Sequence, residues 1–273
     1  MRPSWTEILD ISGKSVREAV RENGQREWLY DFTGRGLLEE GATSVALKRM
    51  VMEVPKIGFV KGHRERKMYG DVPYDMGHLF SSKWNGGSMV NQGFDVVEVT
   101  LDQDALKDVD LLWIADMRTE LTPEEEAALE KYIEQGGNLV FMGEPSHRET
   151  QNKVLNKFFG LELTPLLVGP DVRFKGSLTA NVLAAVPTQR SKELMYPMKN
   201  SYRIAHENCA GIEEVENKGF KVEALVSTDT TGPVWTELET TDFVDDTVKF
   251  NPTVGEISKV FNTVVGLTRQ VGN

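Results

Sequence analysis

The residues best suited to chemistry follow three short apolar runs. His63 and Glu65 come after KIGFV, Asp116 after LLWIA, and Glu144 after NLVFMG. A histidine beside a carboxylate can be a general base with its orienting partner, or a metal ligand in a set completed by Asp116, Glu144 and His147. Polar side chains at strand ends also tie loops together in any α/β protein, so a structural role is the favoured interpretation.

Tests for other catalytic motifs are negative. No G-x-S-x-G elbow occurs, and the turn after NLVFM reads Gly143-Glu144-Pro145, without serine or cysteine. Cys209 is the only cysteine, and we expect it to be a small buried residue. Phosphate-binding glycine loops, H-E-x-x-H and EF-hand spacings are also absent from the sequence. The sequence therefore predicts no catalytic residue, no cofactor and no metal site.

The sequence leaves one enzymatic interpretation open. Glu65 could pair with Glu144 or Asp116 as the two carboxyl groups of a cryptic hydrolase. Glycosidases hold such a pair about 5–10 Å apart across a sugar-sized cleft. A passive carbohydrate-binding domain using the same residues is a related alternative.

Composition narrows the class of partner. The chain has 273 residues and a net charge of -11, which argues against a nucleic-acid surface. Only the run from Arg64 to Lys67 suggests a local basic patch. No run approaches the roughly 18 apolar residues that span a bilayer, and the first residues lack the apolar core of a secretory signal.

The order of elements predicts an α/β fold with a mostly parallel open sheet. Thr122, Pro123 and Glu125 form a helix start with a capping box before an apolar face. We also expect a helix from Gly77 to Gln92 and another in ETQNKVLNKFFG. The sequence predicts three parts of the chain: an N-terminal extension with a lead-in helix at residues 1–54, an α/β core at 55–160, and a β-rich part at 161–273. We expect the β-rich part to pack on the core and to share its sheet.

An ordered set of short motifs carries a family resemblance. These motifs are Gly62-His63-Arg64-Glu65, the strand from Val109 to Asp116, the helix end from Tyr132 to Asn138, Glu144-Pro145, and later ALVSTD, Trp235 and VVGLTRQ. Together they resemble the auxiliary soluble domain of GldG-type ABC transport systems, which include gliding-motility proteins. Met117 departs from the pattern, because a proline often follows the aspartate of that strand.

The resemblance implies a fold, a location and partners. The fold would be flavodoxin-like or class I amidotransferase-like without the catalytic cysteine, and related to the GIFT domain of intraflagellar transport. The domain would lie in the periplasm or otherwise outside the cytoplasm, as part of an inner-membrane protein whose membrane anchors lie outside this chain. Its partners would be the membrane subunits of an ABC transporter, and its role binding or assembly rather than catalysis. The rim predicted to bind a partner or ligand is His63, Arg64, Glu65, Asp116, Arg118 and Glu144.

Overall fold

The computed structural model describes residues 53–70, 72, 74–82, 87–170, 172–174, 177–194, 203–229, 232–244 and 248–271. The predicted N-terminal extension and its helix before residue 53 lie outside these residues. The chain divides into two compact units, one of residues 1–115 with 121–141 and one of residues 116–120 with 142–273. These units interleave along the chain, and the division at residues 54 and 160 stays a prediction.

The first unit is built on a four-stranded sheet in the order β2-β1-β3-β4. β1 pairs in parallel with β2 and with β3. The buried side chains of Ile57, Phe59, Leu112 and Ile114 explain why these runs are almost continuously apolar. The strands are β1 Lys56–Val60, β2 Asp95–Val99, β3 Leu111–Ala115 and β4 Asn138–Met142. The predicted α/β class with a parallel sheet is confirmed, whereas its flavodoxin-like detail stays a prediction.

The helices of this unit are α1 Gly77–Phe80, α2 Gln103–Leu106 and α3 Pro123–Glu134. The capping box of α3 is present as predicted, with Thr122 and Glu125 each bonding the other's backbone amide. The helix predicted from Gly77 to Gln92 is wrong beyond Phe80. The amides of Met89 and Val90 bond back to the last carbonyl groups of α1, so the chain reverses instead of continuing the helix.

The second unit is rich in antiparallel strands, as predicted. It begins with helix α4, Arg148–Phe159, which ends at Gly160 in the left-handed conformation with φ 66°. Its sheets have the orders β10-β5-β12 and β13-β11-β8-β9, and β6 pairs with β7. In the described residues these strands pair among themselves, rather than in a sheet shared with β1 to β4.

The strands of the second unit are β5 Leu161–Val168, β6 Val172–Phe174, β7 Ser177–Thr179, β8 Val182–Pro187, β9 Ile204–Glu207, β10 Ala210–Glu214, β11 Lys221–Thr228, β12 Trp235–Thr236 and β13 Asn262–Thr268. A short helix, α5 Gln189–Leu194, follows β8. Leu167, Leu183, Val234 and Phe261 form part of the core, against which Cys209 packs.

Candidate functional site

His63 lies in a tight turn directly after β1. Gly62 and Arg64 on either side of it both have positive φ, at 130° and 60°. The ring of His63 is buried, and each of its nitrogens faces a carboxylate. Nδ1 lies 3.2 Å from Oε1 of Glu65, and Nε2 lies 3.2 Å from Oε2 of Glu125 on α3. We call these three residues, His63, Glu65 and Glu125, the His63 clamp.

The electrostatics of the clamp favour a charged imidazole. The hydrogen bond to the Glu65 carboxylate raises the pKa of His63 above its usual value, and burial opposes this rise without cancelling it. Burial pushes the pKa of Glu125 upward, but bonds from Thr122 and His63 outweigh that effect and leave it lowered. An imidazole protonated on both nitrogens donates twice and keeps no lone pair for a proton or a metal. The ring of His63 thus connects the loop after β1 to α3.

Asp116 organises a second cluster, in the other unit. It follows β3 with φ 56°, a conformation that costs energy in any residue with a Cβ. Its side chain is 1% exposed, and Oδ2 accepts bonds from Nε and Nη2 of Arg118 at 3.1 and 2.9 Å. Oδ1 accepts from Gln151 at 3.1 Å and faces Nδ1 of His147 at 2.8 Å. We call Asp116, Arg118, His147 and Gln151 the Asp116 node.

Gln151 links this node to neighbouring backbone groups by hydrogen bonds. Its side chain is fully buried on α4, where Nε2 also donates to the carbonyl of Met117 and Oε1 accepts from the amide of Glu144. Neither Gln151 nor the clamp role of Glu125 was predicted from the sequence. A signal for Gln151 did exist, because it shares the helical spacing of the buried Val154, Leu155 and Phe158.

The six residues of the predicted rim therefore fall into two groups. His63 and Glu65 meet in the clamp, beside an exposed Arg64. Asp116 and Arg118 meet in the node, and Glu144 joins it through Gln151. The two groups belong to different units, and the role of these residues as one binding rim stays a prediction.

The geometry gives little support to the hydrolase alternative. The carboxylate of Glu65 is 3% exposed and bonds both the amide and the ring of His63. That of Asp116 is buried and enclosed by Arg118, His147 and Gln151. Burial raises the pKa of the Cys209 thiol to about 12, so this side chain is a poor nucleophile. Among the described residues, no group of three or more His, Cys, Asp or Glu side chains is arranged to hold a metal.

The first unit also has a surface groove of about 500 Å³ between α2 and the end of α3. Its walls are mixed in charge, with Asp104, Lys107 and Lys131 among them, and none of the six predicted rim residues lines it. In the part of the chain that the structure describes, no helix is both long and apolar enough to span a bilayer.

The chain matches one known protein family over most of its length. Residues 54–254 match the model of the family described as ABC-type uncharacterized transport system. The chain belongs to this family. It is therefore related to accessory domains of ABC-type transport systems, as the ordered motifs predicted, and family membership implies association with transporter components.

Three solved structures that resemble this chain are distant from it in sequence. The N-terminal domain of mmIFT52 has 14% identity and a TM-score of 0.47 over 76% of this chain and 86% of that one. A putative ThuA-like protein from Bacteroides uniformis has 17% identity and a TM-score of 0.42, over 65% and 69%. The cytoplasmic protein STM3548 from Salmonella typhimurium has 12% and 0.36, over 67% and 83%. No curated protein sequence matches the chain.

Proposed function

We propose that this chain is a non-enzymatic binding or assembly domain, lies outside the cytoplasm, and contacts a membrane subunit of its transport system. Family membership supports the association with a transporter, and the resemblance to GldG-type domains supports the location. The observation that carries a binding role is an exposed apolar loop in the first unit. This loop runs from residue 61 to residue 80, from the end of β1 through α1.

Four large apolar side chains of this loop are exposed: Tyr69, Val72, Tyr74 and Leu79. Tyr69 is 60% exposed and Val72 57%. The guanidinium group of Arg66 lies 4.3 Å from the centre of the Tyr74 ring. Exposed aromatic groups beside arginine are the side chains most enriched at the centres of protein interfaces.

The loop is held in place by its own backbone bonds. The amide of Lys67 donates to Asp75, and the amide of Met76 donates to the carbonyl of Lys67. A Cβ on Gly77 would lie 2.2 Å from the carbonyl oxygen of Gly70, so two backbone segments pack directly there. Because a preformed loop loses little entropy on binding, its exposed side chains are suited to recognition.

The clamp and the loop have complementary roles in this proposal. Met68 and Met76 of the loop are buried, and the His63 clamp lies at its start. Both ring nitrogens of His63 face carboxylates, which supports a role of the clamp in holding the loop. The buried residues therefore support the loop, while its exposed residues meet the partner.

Site-specific photo-crosslinking in the native organism tests the proposal. A photoreactive amino acid at Tyr69 should form an adduct with a membrane subunit of the transport system. The same group at Leu194, which is 56% exposed in the other unit, is the matched control and should give no such adduct. Equal adducts from both positions, or none from Tyr69 in the assembled complex, would overturn the proposed role of the loop.

A further inference from the structure

Two segments of the second unit, residues 236–239 and 251–257, are joined by carboxylates that accept hydrogen bonds from backbone amides. Glu256 accepts from the amides of Leu238 and Asn251, at 3.2 and 2.6 Å. Glu237 accepts from the amide of Glu239 at 2.7 Å, and Asn251 donates its side-chain amide to Glu239 at 2.8 Å. The backbone amide of Thr236 completes the link by bonding the carbonyl of Ile257.

Glu237 and Glu256 are both buried. Burial, together with the neighbouring Glu256, raises the pKa of Glu237 above its usual value. The two segments are thus joined by bonds from backbone amides to these buried carboxyl groups.

This bonded framework carries a set of exposed apolar side chains, which we call the 238–257 face: Leu238, Phe250, Val254 and Ile257. Ile257 is 55% exposed. Leu238 packs near Gly255, where an added Cβ would lie 3.8 Å from Cδ1 of Leu238. The ring centroids of Phe250 and Trp235 are 6.3 Å apart. Apolar side chains grouped on a fixed framework are typical of an interaction surface rather than of scattered exposed residues.

The charge of this region selects among possible occupants. Apart from the buried Glu237 and Glu256, the sequence from Trp235 to Ile257 has one lysine, Lys249, against four carboxyl residues: Glu239, Asp242, Asp245 and Asp246. The segment therefore carries a net negative charge. An anionic lipid surface would be repelled, and two copies of the face would place like charges opposite each other. A positively charged partner is attracted.

We propose that the 238–257 face docks a polypeptide segment that carries lysine or arginine beside apolar side chains. The apolar side chains would cover Leu238, Val254 and Ile257, and the basic groups would approach Glu239 and Asp242. This inference goes beyond the proposed function, because it adds a second surface in the other unit and specifies the chemistry of its partner. It does not depend on the loop at residues 61–80.

Titration with synthetic helical peptides tests the inference. The probes are amphipathic peptides of leucine with lysine, leucine with glutamine and leucine with glutamate. Methyl NMR of the intact chain should show the lysine peptide shifting Leu238, Val254 and Ile257, with at least tenfold tighter binding than the glutamine peptide and none of the glutamate peptide. Because the attraction is electrostatic, the affinity of the chain for the lysine peptide should fall as salt is added.

Matched variants locate the binding. Ile257→Gln should weaken the lysine peptide at least fivefold, whereas Val215→Gln, at a valine that is 50% exposed in the same unit, should leave it unchanged. A loop variant, Tyr69→Ser, should also bind the peptide normally, which separates this test from that of the proposed function. Thermal melting confirms that each variant is folded.

Several results would overturn the inference. Equal affinity for the lysine and glutamine peptides would show that charge does not attract the peptide. Methyl shifts at other residues instead would show that the peptide does not bind at the 238–257 face. Sedimentation with anionic vesicles, or self-association lost in Ile257→Gln, would assign the face to a lipid surface or to a second copy instead.

Discussion

The His63 clamp and the Asp116 node use the same residue types at the end of a strand, but they use histidine differently. His63 is buried and both of its ring nitrogens face carboxylates. His147 is 31% exposed, and it meets Asp116 through Nδ1 alone. In the clamp the histidine is the centre of the cluster, whereas in the node the centre is the aspartate.

This difference shows that residue type does not define the role of a histidine beside a carboxylate. In the clamp, loss of the ring would leave two carboxylates facing each other. In the node, Asp116 would keep Arg118 and Gln151 as donors if His147 were removed. The two clusters should therefore respond unequally to equivalent substitutions.

The largest effect should come from Asp116→Ala. Removing this buried carboxylate leaves the fully buried Gln151 without one of its acceptors and breaks the ion pair with the partly exposed Arg118, which we expect to cost about 3 kcal/mol of the free energy of unfolding. Alanine also fits poorly at φ 56°. Urea unfolding measures the loss, with the exposed Asp108→Ala as the control. A loss below about 1 kcal/mol would show that the node is not the anchor that its geometry indicates.

His63→Ala should have the next largest effect. It leaves Glu65 buried without its charged donor, and we expect a loss of about 2 kcal/mol in the free energy of unfolding. Asp108→Ala, at an exposed residue, is again the control and should stay within about 0.5 kcal/mol of the wild type. Equal losses in the two variants would remove the distinction between a clamp residue and an ordinary surface residue.

The effect of the clamp should depend on pH. Because the folded-state pKa of His63 is raised above 6.5, its stabilisation is fully present below that pH and is lost as the pH rises through the folded-state pKa. The lowered pKa of Glu125 adds stability above 4.5, which is lost as the pH falls through its folded-state pKa. The wild type should exceed His63→Ala most between about pH 5 and 6. A difference that grows above pH 7 would contradict these signs.

The smallest effect should come from His147→Ala. Asp116 keeps three other hydrogen bonds, from Arg118 and Gln151, and the imidazole is partly exposed. We expect a loss below about 1 kcal/mol. Urea unfolding beside His63→Ala makes the comparison direct, and a larger loss at His147 than at His63 would reverse it.

Local signals predicted the parts of this structure that neighbouring residues determine. Thr122, Pro123 and Glu125 predicted the start of α3 because a capping box involves only residues three apart. Apolar runs likewise predicted β1 and β3. The helix after Gly77 was overpredicted, because its end depends on a chain reversal at Met89 and Val90 that helical spacing does not reveal.

The clusters needed long-range information that spacing does not contain. Glu125 reaches His63 across 62 positions, and Gln151 reaches Asp116 across 35. Glu125 already had a complete local explanation as a capping residue, so its second bond left no signal in the sequence. The ends of parallel strands look alike in sequence, and this is why six polar residues were grouped as one rim.

The protonation state of His63 tests the central claim most directly. Long-range ¹H–¹⁵N NMR of the imidazole rings, followed through a pH titration, reports each nitrogen separately. The clamp predicts that both nitrogens of His63 keep their protons to a higher pH than the usual histidine pKa of 6.5, and that this signal is absent from His63→Ala. A His63 ring that loses a proton at or below pH 6.5 would contradict the clamp and would return this histidine to the candidates for proton transfer or metal binding.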